Sequence, residues 1–238
     1  MLITANTINP EAGNVCEHCG APRKRKSIQL LGRKYDVLLS CDCSTASRER
    51  DENVTEQPRK AEKYKHAGIG PEYQASTAEC AEQVEAVKHG RNVFITGANG
   101  CGKSMLAAAI GMSLIDQGYT VLFVNAAIAA QAIRSTYSGE GDSSLWERMC
   151  NAPALIIDDL GKGNPTEWDS SIWYTVAEAR NAAGIPTVVT TNYTGGELVK
   201  RLTANNDDST ARATVSRLRG GALVVKMSGA DMRLRNAV

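Results

Sequence analysis

The chain has 238 residues, 42% of them hydrophobic, with 27 Lys and Arg against 26 Asp and Glu for a net charge of +1. This length accommodates one domain plus a smaller one with a substantial core, and no run approaches the 18 apolar residues of a helical membrane span. Residues 1–66 carry 12 basic and 9 acidic side chains (+3) and residues 67–238 carry 15 and 17 (−2), an asymmetry too small to establish nucleic-acid binding and equally well read as solvated faces. No basic stretch followed by an apolar one opens the chain, so no secretion leader and a cytoplasmic location are expected.

Seven cysteines are an odd number, and a reducing compartment disfavours disulfides. Four of them cluster early. Cys16-Glu17-His18-Cys19-Gly20 is a C-x-x-C-G turn, and Cys41-Asp42-Cys43 is a closer C-x-C pair. Between the pairs, Ile28–Leu31 and Tyr35–Leu39 read as two strands, with Gly32-Arg33-Lys34 as their turn. Such a hairpin brings the pairs together, and four thiolates make a closed, tetrahedral, structural zinc site. His18 is the alternative to one cysteine ligand. A segment of roughly 50 residues has little core, so a metal clip is physically sensible. Arg23-Lys24-Arg25-Lys26 and Arg33-Lys34 lie in this module and suit phosphates, an acidic partner or solubility alike. Residues 1–47 are therefore expected to form a zinc module. Residues 48–66, highly charged and interrupted by Pro58, read as a linker with helical parts.

Gly68-Ile69-Gly70-Pro71-Glu72-Tyr73 opens the second domain, expected over residues 67–238. A helix over 78–89 leads to Asn92-Val93-Phe94-Ile95-Thr96, a short apolar run that reads as a buried strand. The next residues, Gly97-Ala98-Asn99-Gly100-Cys101-Gly102-Lys103-Ser104, match G-x-x-x-x-G-K-S, and Met105–Ile110 reads as a helix. Strand, glycine-rich turn and helix is the context a P-loop requires. Glycines let successive N–H groups turn towards a phosphate, and the helix N-terminus adds partial positive charge. Gly97, Ala98, Asn99, Gly100, Cys101, Gly102, Lys103, Ser104 and Met105 are thus the expected nucleotide cradle. Lys103 is placed to reach the β- and γ-phosphates and Ser104 to bind Mg²⁺.

Further along, Gly118 reads as a helix C-cap, Thr120–Asn125 as a buried strand, and 126–137 and 143–151 as two short helices around a Ser/Gly-rich loop. Ala154-Leu155-Ile156-Ile157-Asp158-Asp159 is an apolar strand ending in two acids, costly at a strand end unless they serve a cation or a cap. This is a Walker B pattern, in which Asp158 holds the Mg²⁺ water shell and Asp159 polarises the attacking water. A helix over 167–183 ends at Gly184, Ile185–Thr190 is a β-branched strand followed by Thr191-Asn192, and helices near 195–202 and 210–219 precede a strand over 222–227. Cys80 and Cys150 read as small apolar side chains. Strands alternating with helices imply an α/β domain with a parallel sheet flanked by helices.

The segments GANGCGKSMLAAAI, LIIDDLG, VVTTN, SRL and GADMRLR together resemble the DnaC/DnaI/IstB group of AAA+ ATPases, over about residues 67–238. The resemblance implies that Asn192 is the sensor 1 residue, that Arg217 acts in trans as an arginine finger, and that Arg233, in the Gly229–Arg233 segment, is sensor 2. It implies that the Gly68–Tyr73 segment borders adenine, and that the two helices over 126–151 touch single-stranded DNA. Cys101 stands where Thr is common in that group, and Asp159 where many AAA+ proteins have Glu. The cysteine module resembles the helicase-binding N-terminal part of DnaI-type and phage loaders, which IstB-type transposition ATPases usually lack. The expected function is loading of a replicative DnaB-type helicase hexamer onto single-stranded DNA, with ATP, Mg²⁺ and Zn²⁺ as cofactors and self-association through the ATP-bound AAA+ domain. The alternative is an IstB-like ATPase that binds duplex target DNA for a transposase. A soluble P-loop kinase, the third reading, has no use for a trans arginine or a zinc hairpin.

Overall fold

The computed structural model describes residues 21–22, 24–30, 33–38, 59–74, 76, 78–137, 139, 142–163, 166–205, 207–229 and 231. The chain divides into two compact units, Met1–Arg59 and Lys60–Val238. In the first, β1 (Arg25–Leu30) and β2 (Arg33–Leu38) form an antiparallel pair running from Arg25 opposite Leu38 to Leu30 opposite Arg33. Arg33 and Lys34 open β2 instead of occupying the turn, as the spacing had suggested. Cys16, His18, Cys19, Cys41 and Cys43 lie outside the described residues.

The second unit begins at Lys60. Residues 59–66 are helical (α1), and Tyr64 donates to Asp116 at 2.8 Å while its ring packs on the core. Beyond a short 3₁₀ turn at Pro71–Tyr73 come α2 (Ala81–Lys88), β3 (Val93–Gly97), α3 (Lys103–Asp116), β4 (Val121–Asn125), α4 (Ala126–Tyr137), α5 (Ser144–Asn151) and β5 (Ala154–Asp158). They are followed by α6 (Glu167–Ala183), β6 (Thr187–Thr191), α7 (Gly195–Leu202), α8 (Ser209–Arg219) and β7 (Leu223–Met227).

The five strands β3–β7 form one parallel sheet in the order β4-β5-β6-β3-β7. Because side chains alternate across a strand, β3, β4, β5 and β6 each feed two cores, whereas β7 packs one face and turns Val224 and Lys226 to solvent. Val93, Ile95, Val121, Phe123, Ile156 and Val188 face α2 and α3. Phe94, Leu122, Val124, Leu155, Ile157 and Val189 face the layer built from α4 to α8. Strands buried on both faces must be apolar throughout, which is why they read as continuous apolar runs and not as alternating ones. Helix α3 is apolar nearly all round and is correspondingly buried on most of its surface. Gly111 lets it sit close on the sheet, since a Cβ there would lie 2.9 Å from Ile156 Cδ1.

Three local devices set the helix ends. Thr166 and Asp169 form a capping box at the start of α6, and Thr194 and Glu197 form another on α7. Gly184 ends α6 in the left-handed conformation at φ 65°. At the outer edge of the sheet Phe123 N–H donates to Ala67 O at 2.7 Å, so the segment that opens this unit covers the free side of β4.

Candidate functional site

All five strands run the same way, so their C-terminal ends converge on one side, where parallel sheets bind ligands. The strand order separates β3 from β5 by β6. The residues ending β6 therefore stand between the P-loop and the two acids, a placement that motif spacing alone does not supply.

The turn after β3 is a tight glycine arch. Gly100 and Gly102 have φ of 74° and 95°, and a Cβ at Gly97 would run into the Met227 carbonyl oxygen. Each position demands glycine for backbone reasons, as a phosphate cradle does. Lys103 opens α3 and is only 5% exposed. Its Nζ donates to Gly97 O at 3.0 Å and Ala98 O at 2.7 Å, so the ammonium lies folded against its own loop. Cys101 is buried, and its Sγ lies 3.9 Å from Met227 O.

Across β6, Asp158 ends β5 and is 3% exposed. Its Oδ1 accepts from Thr190 Oγ1 at 2.6 Å. Burial pushes its carboxyl up from the ordinary value, more than the hydrogen bonds from Thr190 and Ser104 pull it down. The Ser104–Asp158 bond joins the P-loop helix to the acid strand. Asp159 sits in the left-handed region at φ 59°, unusual for a residue other than glycine. Its N–H donates to Thr190 Oγ1 at 2.9 Å, and its Oδ2 accepts from Lys162 Nζ at 2.9 Å. Asn192 follows β6, and its Oδ1 is buried with no hydrogen-bond partner among the described residues. An orphaned buried acceptor is a group built for something else to meet.

These residues line a single cleft of about 860 Å³, bounded by Gly100, Gly102, Lys103, Ser104, Met105, Asp158, Asp159 and Asn192, with Glu72 and Tyr73 on its rim. The structure thus brings together the two acids, the P-loop lysine and serine, and Asn192. Tyr73 packs against Phe123 with ring centroids 5.7 Å apart, and burial, then Asp158, pushes its hydroxyl pKa up. Residues that motif reasoning passed over are Thr190, Lys162 and Asn125. Thr190 carried a signal, being a hydroxyl inside an apolar strand, where burial demands a partner.

Arg217 is not in the cleft. Its carbonyl accepts from Asn92 Nδ2 at 3.0 Å, at the opposite end of β3 from the P-loop. Five residues of β3 span about 16 Å between those ends. Its guanidinium bonds Glu178 and lies 5.1 Å from the centre of the Tyr174 ring, both on α6. Arg217 therefore cannot reach this subunit's own cleft. Arg233 lies outside the described residues.

The cleft's residues fit a nucleotide with Mg²⁺: a glycine arch of amide donors, a lysine beside it, a hydroxyl next to a buried carboxylate, and an unpaired buried amide oxygen. Among the described residues no helix is long and apolar enough to cross a membrane.

Comparison with known proteins agrees with this geometry. The replicative helicase loader DnaC of Escherichia coli K12 is 26% identical over 176 residues, covering 66% of this chain and 71% of that protein. The replicative helicase loader DnaI of Bacillus subtilis is 25% identical over 133 residues, covering 54% and 42%. A putative insertion sequence ATP-binding protein of Sinorhizobium fredii is 29% identical over 149 residues, covering 63% and 49%. A crystal structure of the DnaC helicase loader superposes with a TM-score of 0.57 at 18% identity, covering 67% of this chain and all of that one, a likeness of fold. The family described as IstB-like ATP binding protein matches residues 64–238. With the P-loop, the paired acids and the polar residue after β6 on one cleft, and with that match over most of its length, the chain belongs to the IstB-like ATP binding protein family, with a DnaC-like AAA+ domain.

Proposed function

We propose that the chain is an ATP-switched loader that places a replicative DnaB-type helicase hexamer on single-stranded DNA, with slow ATP hydrolysis stimulated by DNA or partner. The observation that carries this is the convergence of Lys103, Ser104, Asp158, Asp159 and Asn192 on one cleft in a chain whose relatives include DnaC and DnaI. Lys103 leaves the Gly97 and Ala98 carbonyls to meet the β- and γ-phosphates of ATP. Ser104 and Asp158 would hold Mg²⁺, which neutralises phosphate charge when bound. Asp159 orients the attacking water, and Asn192, whose oxygen has no partner among the described residues, serves as the γ-phosphate sensor. Arg217, turned away from its own cleft, serves the nucleotide of a neighbouring ATP-bound subunit.

Residues 1–47 act as the helicase-gripping module, with zinc held by Cys16, Cys19, Cys41 and Cys43. Pairing of Arg25 with Leu38 supports this, since the segments leading to the two cysteine pairs then leave the hairpin at the same end. The two helices over 126–151 contact the DNA strand.

The Sinorhizobium relative favours a second reading, an ATPase that assists a transposase on duplex DNA. The deciding experiment measures anisotropy of labelled single-stranded and duplex oligonucleotides with ATP, and co-elution with a DnaB-type hexamer from the same cell. A helicase complex and a preference for single strands are expected. Duplex preference with no helicase complex would overturn the loader reading.

A further inference from the structure

We infer that Lys162 is a positioning residue that holds Asp159 away from the attacking water in the resting subunit. This rests on the reading that Asp159 acts on that water. Lys162 Nζ lies 2.9 Å from Asp159 Oδ2, on the rim of the nucleotide cleft. The carboxylate is mostly shielded, 21% exposed, whereas the lysine is 63% exposed, so the pair sits where cleft meets solvent. Asp159 has little freedom to escape the pairing by turning its backbone. Its left-handed φ of 59° is fixed by the N–H bond to Thr190 Oγ1, and Leu160 N–H donates to Thr190 O at 2.9 Å. Strained non-glycine residues of this kind persist only where their surroundings over-determine them.

The lysine is presented by a loop that another element clamps. Gly161 and Gly163, on either side of it, have φ of 88° and 89°. Arg201 of α7 donates to the carbonyls of both, from Nε to Gly161 O and from Nη2 to Gly163 O. Its guanidinium also lies 5.2 Å from the centre of the Tyr193 ring, just beyond Asn192. A clamp on both flanks reduces the freedom that an exposed lysine loses on pairing, which is the usual reason such pairs are weak. With its ammonium on Oδ2, the carboxylate has one oxygen fewer to accept from water. Opening the pair frees that oxygen, and the small strength of an exposed ion pair makes opening easy.

The test is steady-state ATP turnover of the full chain at saturating ATP, with ATP affinity measured separately using a fluorescent ATP analogue. Lys162→Ala should raise kcat about two- to fivefold, the size an exposed ion pair supports, with ATP affinity within about twofold of the parent. Lys162→Arg, which keeps the cation, should return kcat towards the parent. Raising ionic strength from about 0.05 to 0.5 M screens exposed charges, so it should raise the parent's kcat more than that of Lys162→Ala. Arg201→Ala should shift kcat in the same direction by less, with thermal melting confirming that it folds. If Lys162→Ala turns over at or below the parent rate, the inference is overturned. Asp159→Asn separates the two failures. If it is inactive while Lys162→Ala is not raised, only the restraint by Lys162 is wrong, and if it is fully active, the assignment of Asp159 itself is wrong.

Discussion

Lys103 and Asp159 stand 56 positions apart and are expected to fail differently when replaced. Lys103→Ala removes the charge that meets the phosphates and should lose ATP affinity by tenfold or more, on the order of the 1.5–3 kcal/mol of a hydrogen bond to a charged group. Asp159→Asn should bind ATP like the parent and lose turnover, which single-turnover kinetics with a binding titration would separate. Asp158 carries a different consequence, because burial raises its carboxyl above the ordinary value. A raised acid destabilises the fold while ionised, fully so above both its folded and unfolded values. That cost disappears as pH falls through the folded value towards the unfolded one of about 3.9. Asp158→Asn keeps an oxygen for the Thr190 hydroxyl and removes the buried charge. Without nucleotide it should melt at or above the parent's temperature near pH 7.5, with the difference shrinking as pH is lowered. Its Mg²⁺-dependent stabilisation by ATP should be lost.

Helix α5 ends against a strand-loop layer through one side chain. Arg180 is 1% exposed and has no carboxylate partner among the described residues. Its Nη1 donates to Met149 O at 3.0 Å and Ala152 O at 2.8 Å, satisfying carbonyls at the α5 C-terminus, and its Nη2 and Nε reach Pro186 O and Thr187 Oγ1. Burial lowers its pKa to about 10, which still leaves it charged at neutral pH. A cation at a helix C-terminus is favourably placed, and the planar fork reaches carbonyls of two elements at once. Arg180→Met should therefore cost about 3–5 kcal/mol, since several buried carbonyls lose their donor at about 1–3 kcal/mol each, seen as a melting point lower by roughly 10 °C. Arg180→Lys should recover little, since a single ammonium cannot span those carbonyls. The sequence reading placed Arg180 simply within a helix. Nothing in the helical period distinguishes a buried arginine from a surface one until the neighbouring chain supplies the acceptors.

Assembly decides whether Arg217 takes part in hydrolysis. It lies a strand's length from its own P-loop, so any catalytic role requires another subunit. Arg217→Ala and Lys103→Ala should each be inactive alone, and their mixture should regain part of the ATPase activity. A mixed assembly joins an intact P-loop to an intact arginine, and an arginine finger in trans is worth about 10³–10⁵ in rate elsewhere. No recovery, with mixed assemblies shown to form by native mass spectrometry, would mean that Arg217 serves only to tie α8 to α6 through Glu178 and Tyr174. For the N-terminal unit, elemental analysis should find about one zinc per chain, since four thiolates fill one tetrahedral site. Cys41→Ser should lose that metal while ATP binding is retained.

Much of the second unit was legible because its physics is local. An apolar run of five residues ending in a glycine-rich turn has few foldings. Gly184 marks the end of α6 by backbone chemistry that neighbours in sequence supply. The cleft's main residues follow from the same logic, since Gly100 and Gly102 demand left-handed backbone and two acids ending an apolar strand demand a cation or a cap. What locality cannot provide is strand order. Only the packed sheet inserts β6 between β3 and β5, which puts Thr190 on both acids, leaves the Asn192 oxygen without a partner among the described residues, and sends Arg217 to the far end of the strands. The hairpin turn was misplaced by its polar residues, Arg33 and Lys34, because a charged residue is as much at home on a solvated strand as in a turn, and cross-strand pairing alone sets the register.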